Sequence, residues 1–301
     1  MTFVIFVKLP SVDPARLAAG RQTNPETLRL IRIKLGLNGS AWSQYWRFAR
    51  GLIPWPGFFL DKATYFSYQN FVSVRSEIAQ RLPITAVETA GAAVLWLGFG
   101  LPAGVVSALR PRSKVDRATM SFAIFGVSAP VFWVALLLLF VFWFKLRILP
   151  GSGIPPYEPL ALSIVKGRFV LPWITLALSL SAFYVRMMRT QMMDVMNEDY
   201  IRTARAKGVS ERKVVWKHGG RVAITPIVSM LGVDVGLLLG GAIITESVFN
   251  LPGLGQYAVD SAFNGDIPSI MGVTIVGALF IVTANLLVDI AYAYLDPRVR
   301  H

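Results

Sequence analysis

Five stretches of this 301-residue chain stay apolar over lengths that only a bilayer or a very large core can bury. They are residues 85–109, 118–144, 169–188, 222–248 and 270–294. A helix crossing a membrane needs about 20 such residues, and a membrane admits only helices or closed barrels because every backbone polar group must be satisfied internally. Only 16% of residues are charged, against about 25% in soluble domains. The pattern predicts an all-α, polytopic transmembrane helical bundle with five complete spans. A sixth apolar stretch, residues 2–9, is half a span and reads as the outer end of a partial first helix. It is too short, and lacks the preceding basic region, for a cleavable signal peptide.

The net charge of +13 would suggest nucleic acid in a soluble protein. In a membrane protein it reports topology, because basic residues collect in cytoplasmic loops. No groove-reading motif is present, so no nucleic-acid partner is expected. Arg110, Arg112, Lys114 and Arg117 join the first two spans, and nine Lys or Arg between Arg186 and Arg221 join the third and fourth. Arg298 and Arg300 follow the last span, whereas residues 250–269 contain neither Lys nor Arg. These loops predict a cytoplasmic 199–208 segment and C-terminus, with 250–269 outside. Residues 11–82 then form an extracytoplasmic subdomain, long enough to escape the charge rule, with a helix near 25–35. Residues 83–301 form the transmembrane domain, and 1–10 the partial helix. There is no convincing internal repeat.

The chain has no cysteine and two histidines, so thiolate chemistry is excluded and a histidine-rich metal site is not expected. It contains no G-x-x-x-x-G-K-[ST] phosphate loop, H-E-x-x-H pair or G-x-S-x-G elbow. An enzyme is therefore not expected, and no cofactor is expected in this chain.

The segment Asp199-Tyr200-Ile201-Arg202-Thr203-Ala204-Arg205-Ala206-Lys207-Gly208 is a charged island between apolar runs. Good helix formers without Gly or Pro predict a helix over 190–206. Gly208 suits a C-cap, and Ser210 can cap a second helix over 211–217. Two short helices broken at a glycine make a knuckle. The small Ala204 and Ala206 would admit a closely approaching partner. The alternative is a solvated basic loop.

Asp234, Glu246 and Asp289 lie in or near apolar runs, where ionisable groups usually face a bundle interior or a cavity. They are either pathway residues or groups paired for structure. Gly236, Gly240 and Gly241 share a span and read as close packing or as a hinge. The run from Asn250 to Gly255, with Pro252, Gly253 and Gly255, has tight-turn chemistry.

Tyr200-x-x-Thr203-Ala204-Arg205-Ala206-Lys207-Gly208, followed by His218-x-x-Arg221 and Pro226, resembles the cytoplasmic signature of the ABC-importer permeases for dipeptides, oligopeptides and nickel. The resemblance continues through Arg81-Leu82-Pro83-x-Thr85, Asp116, Ser128-x-Pro130-x-Phe132-Trp133, Leu149-Pro150-x-x-Gly153 and Leu171-Pro172. It includes Gly240-Gly241-Ala242, Glu246, Phe249, Leu251-Pro252-Gly253-Leu254-Gly255, Asp289, Tyr292 and Asp296-Pro297-Arg298. Leu35-Gly36-Leu37 and Gln44-Tyr45 match the outer subdomain. Nearly the whole chain is covered.

The resemblance implies that residues 199–208, with His218 and Arg221, couple to an ATPase as a coupling helix. It implies a second permease subunit, homologous or identical, two cytoplasmic ABC ATPases that bind ATP and Mg, and an extracytoplasmic substrate-binding protein. It places 250–255 at the outer mouth and implies the inner membrane of a bacterial or archaeal cell. Peptides are the family's default cargo, with nickel or another small solute as the alternative. An ion-coupled secondary transporter using Asp234 is a rival from another class. Three positions depart from the family pattern. Only the end of its first helix is present, Pro10-Ser11-Val12-Asp13-Pro14 replaces Pro-Gly-Asp-Pro, and Val222 replaces an asparagine. Gly219 and Gly220 predict a looser helix behind the knuckle.

Overall fold

The structure is a computed structural model and describes residues 15–16, 24–35, 38–53, 59–60, 65–70 and 72–295. The expected half-span at 2–9, the 10–14 run, Gly36, Leu37 and Asp296-Pro297-Arg298 lie outside the described residues, as does the side chain of Tyr292. Among the described residues no strand forms. Four helices are long and apolar enough to cross a membrane, or five if one bent pair counts as a span.

The first elements are α1 (Pro25–Leu35) and α2 (Ala41–Arg50). Helix α2 is capped by Ser40, whose hydroxyl accepts from the Ser43 N–H. The long α3 (Val74–Leu109) has 36 residues, about 54 Å at 1.5 Å per residue. It begins eleven residues before the expected span (85 against 74) and carries Pro83 and Pro102 inside it. A proline removes one backbone bond. Here burial of Val74 and Ile78 against Tyr257, Met271 and Val276 holds the early turns in helical form. The same cluster contains Phe48, Leu60 and Tyr65, so the residues before α3 and the start of α3 share one core. The helix runs unbroken through residues 82 and 83, the boundary expected between subdomain and transmembrane domain.

Helix α4 (Lys114–Ser128) follows an N-cap at Ser113. The single span expected over 118–144 is instead two half-helices, α4 and residues 131–145, bent by 103°. Pro130 is the cause. It pushes the preceding residue out of the helical region, and Ala129 is extended at φ −79°, ψ 124°. After Pro130 comes α5 (Val131–Leu138), which widens into a π-helical stretch, Leu139–Lys145. A loop and the short α6 (Leu160–Val165) lead to α7 (Val170–Met196).

Helix α7 ends at Asn197, so the helix expected over 190–206 is two helices. The Asn197 side-chain Nδ2 donates to the Met193 carbonyl at 2.9 Å, and Glu198 is extended at ψ 150°. Then come α8 (Asp199–Ala206), α9 (Glu211–Lys213), a π-helical Val214–Gly219 and α10 (Gly220–Ala223). The region read as a loosened helix is therefore a wide-turned one. The span expected over 222–248 is α11 (Thr225–Leu239) and α12 (Ile243–Val248), separated at residues 240–242. Gly241 takes φ +133°, a conformation that favours glycine. Helices α13 (Leu254–Phe263) and α14 (Ile267–Leu295) complete the described chain.

Lipid tails are as apolar as Leu, so close packing holds membrane helices together. Two pairs show it. A Cβ at Gly104 of α3 would lie 2.7 Å from Met188 Cβ and 2.8 Å from the Val185 carbonyl oxygen of α7. A Cβ at Gly236 of α11 would lie 3.0 Å from Ile281 Cα of α14. The shared core of α3, α7 and α11 contains Trp96, Tyr184, Met188, Met192 and Ile227. Phe125, Phe132, Val282 and Leu287 stay exposed, as expected where helices face lipid.

Candidate functional site

The knuckle after α7 is a compact structure of its own. Ile201, Ala204 and Val214 form a small buried cluster, with Val209 and Met196 packed on it. Gly208, at φ +75°, donates to the Arg205 carbonyl at 2.9 Å, and Val209 donates to the Ala204 carbonyl at 3.2 Å. These two bonds make a Schellman motif, with Val209 as its hydrophobic partner. Asp199, Tyr200, Thr203, Ala206, Lys207 and Gly208 are exposed, as is Arg221, while His218 is half-buried.

Two placements differ from the sequence expectation. Ala204 faces the knuckle's own core, so its small size admits Val214 and Val209 rather than an external surface. Arg205 is engaged within the chain: its Nη2 and Nε reach the Glu211 carboxylate at 2.7 and 3.1 Å. Those hydrogen bonds hold Glu211 below the ordinary carboxylate range. Ser210 occupies an N-cap position without a side-chain cap bond. Behind the knuckle, a Cβ at Gly219 would meet Met192 Cε at 3.0 Å and Met196 Sδ at 3.1 Å. That glycine seats the wide-turned segment on the end of α7.

At the opposite end of α7, five of the outer candidates converge with the fully buried Glu246. Its Oε1 accepts from the Thr85 hydroxyl at 2.7 Å and its Oε2 from the Gln256 N–H at 2.9 Å. Thr85 in turn accepts from the Leu254 N–H at 2.9 Å. Gly253 lies over the Glu246 carboxyl, where a Cβ would fall 2.4 Å from it. Gly241 meets Gly255 backbone to backbone, 2.7 Å from a virtual Cβ to Gly255 Cα. Gly240 meets Gly277, and Pro252 sits in the turn between α12 and α13. The hairpin is anchored a second time: Gly153 donates to the Phe249 carbonyl at 2.7 Å. Arg168 holds that strap through the Gly153 carbonyl at 3.1 Å and Glu158 at 2.7 Å.

Asp234 stands apart from this hairpin. It accepts from the Tyr184 hydroxyl at 2.7 Å, tying α11 to α7. Asp289 is exposed on α14, and Asp296 and Arg298, which follow it closely in the sequence, lie outside the described residues.

Three side chains escaped the sequence reading. Glu88 is fully buried on α3. The neighbouring Thr245 hydroxyl donates instead to the Ala242 carbonyl at 3.1 Å, and neither Glu88 oxygen has a hydrogen-bond partner among the described residues. An acid three residues inside the first apolar run was its only signal. Tyr184 gave none. Arg189, one of the nine basic residues from Arg186 to Arg221, binds Asp116 at 2.7 and 3.0 Å.

Comparison with known proteins bears on this arrangement. Residues 100–301 match the binding-protein-dependent transport system inner membrane component, and residues 1–89 match the N-terminal model of such membrane components. The chain is 36% identical over 297 residues to the glutathione transport system permease protein GsiC of Escherichia coli, covering 99% of this chain and 92% of the relative. It is 37% identical to the protein of the same name from Shigella dysenteriae serotype 1, over the same shares. Among solved structures, the MetNI methionine ABC transporter in an inward-facing conformation matches with a TM-score of 0.58 and 16% identity. That match covers 74% of this chain and 97% of the other, and shows the fold alone. The chain belongs to the inner-membrane permease family of binding-protein-dependent ABC importers, multi-pass transport subunits rather than enzymes.

Proposed function

We propose that this chain is one of two permease subunits, homologous or identical, around a shared translocation pathway for small peptides. Two cytoplasmic ATPases bind ATP and Mg, and a substrate-binding protein delivers cargo from outside. The knuckle at residues 199–208 and the C-terminus face the cytoplasm. Residues 11–82 and the hairpin carrying Pro252, Gly253 and Gly255 face outside, where the binding protein docks.

One observation carries the reading: an exposed eight-residue helix, closed by its own cap and core, stands at the end of α7 remote from the Glu246 hairpin. A short rigid helix presented this way suits docking in a cleft of a moving partner, and basic flanks suit the cytoplasmic side. Peptide cargo is supported by the glutathione permeases among the relatives. Tyr184 gives Asp234 a structural partner, which favours an ATP-driven subunit over an ion-coupled carrier.

The test uses Ala206→Trp, which alters the exposed face and spares the buried cluster. In the reconstituted transporter, co-purification of the ATPases should fall and uptake should drop about tenfold or more, the scale of a central interface residue. Unchanged association and uptake would overturn the coupling role. For cargo, glutathione and dipeptides should compete with each other for uptake, and nickel ion should not. Competition by nickel alone would overturn the peptide reading.

A further inference from the structure

We infer that Asp116 and Arg189 form the joint that carries movement of the knuckle into α3, and through Thr85 to the Glu246 hairpin. The inference rests on the coupling role proposed above for the knuckle.

Three parts of the chain converge on one carboxylate. Asp116 Oδ1 accepts from Ser107 Oγ at 2.5 Å and from Arg189 Nε at 2.7 Å. Oδ2 accepts from the Arg112 N–H at 2.8 Å and from Arg189 Nη2 at 3.0 Å. Ser107 belongs to the last turn of α3, Arg112 to the α3–α4 turn and Arg189 to α7. The four bonds fill the acceptor positions of a carboxylate, and the paired Arg geometry fixes orientation as well as distance. Asp116 is buried, and the Arg189 side chain is 22% exposed.

Arg189 lies close behind the knuckle. Only Asn197 and Glu198 separate α7 from α8. The knuckle's return segment rests on Met192 and Met196 through Gly219. A force on α8 therefore enters the last turns of α7, where Arg189 grips Asp116.

From there the path is stiff. Helix α3 lies against α7 at Gly104 and again at Gly91, where the Trp173 indole occupies the space of a side chain. Trp173 also donates to the Val87 carbonyl at 3.0 Å. Thr85 and Ser107 are 22 residues apart in one helix. At 1.5 Å per residue that is about 33 Å, close to the hydrocarbon thickness of a bilayer. The two polar clamps thus sit near opposite membrane faces, one holding the knuckle's helix and the other the outer hairpin. Asp116 and Arg189 are positioning residues: they touch no cargo and act through α3.

The test compares wild type with Asp116→Asn, Arg189→Gln and the charge-swapped pair Asp116→Arg with Arg189→Asp, each in the fully assembled, reconstituted transporter. Assembly with the ATPases, ATP hydrolysis and cargo uptake are measured together. Each single substitution should leave the ATPases bound and hydrolysing, while cargo moved per ATP falls about tenfold, within the usual range of coupling energies. The swapped pair should recover a substantial part of that ratio. An unchanged ratio in both single variants would overturn the joint. So would a loss of uptake fully accounted for by a lower yield of assembled complex at an unchanged ratio. Failure of the ATPases to associate with wild type would instead overturn the knuckle's coupling role.

Discussion

Single side chains in this protein matter most where they close polar accounts in an apolar medium. Glu246 satisfies the Thr85 hydroxyl and the Gln256 N–H at once. Replacing it with Ala leaves these donors unpaired, at about 1–3 kcal/mol for each buried group left unsatisfied. Glu246→Ala should lower the melting temperature of the detergent-solubilised permease clearly, and Glu246→Gln much less, because the amide oxygen still accepts. Outside the spans, Glu158 accepts from Arg168, Lys166 and Ser163. The Arg168 hydrogen bond, followed by that of Lys166, holds its pKa down from 4.5 to about 2. A lowered folded-state pKa stabilises above the unfolded value and is lost as pH falls through the folded one. The strap over the Glu246 hairpin should therefore loosen between about pH 4.5 and pH 2. Hydrogen exchange of residues 149–168 should rise across that window, and Glu158→Gln should flatten the rise. Asp116 and Arg189 were both visible as letters in the sequence. Their meeting was not, because they stand 73 positions apart and no local pattern encodes a contact at that separation.

At the scale of elements, breaks in the helices are as informative as the helices. Proline at 130 and glycine at 241 announce two of them in the sequence, since each imposes a backbone constraint that acts locally. Pro130 bends the span expected over 118–144 by 103°, whereas residues 225–248 remain one apolar span despite the turn at Gly241. Pro83 shows the opposite outcome, for it lies inside α3 where burial of Val74 and Ile78 in their core cluster outweighs the lost bond. The Asn197 break was equally local, yet helix formers on both sides concealed it. The α3–α7 seam gives a direct prediction. Gly104→Val would put a Cβ 2.7 Å from Met188 Cβ and 2.8 Å from a backbone oxygen. Overpacking of this kind costs about 1–3 kcal/mol. A thermal shift in detergent should show that loss, whereas Gly98→Val, where nothing lies within 4 Å, should not.

For the whole molecule, orientation is the property that connects sequence to transport. The chain has no native cysteine, so single-cysteine variants report without background. Cysteine placed at the exposed Asn264 should react with a membrane-impermeant maleimide in intact cells. Cysteine at Ala206 should react only after permeabilisation. The reverse pattern would invert the topology. Class, basic-loop asymmetry and family were determined by the sequence alone, because apolar length, charge placement and short signatures are local properties of a chain in a membrane. Tertiary structure alone decided that Ala204 faces inward, that Arg205 is spent on Glu211, and that Glu246, Thr85 and the 253–256 turn form one clamp. It also paired α3 with α7 and joined them at Asp116. The knuckle contacts depend on how short neighbouring helices fold over one another, and the contacts joining α3, α7 and the hairpin lie between segments distant in sequence and depend on which helix faces meet. Lipid supplies no hydrophobic preference between those faces, so only the fit of glycines, bulky side chains and polar partners selects them.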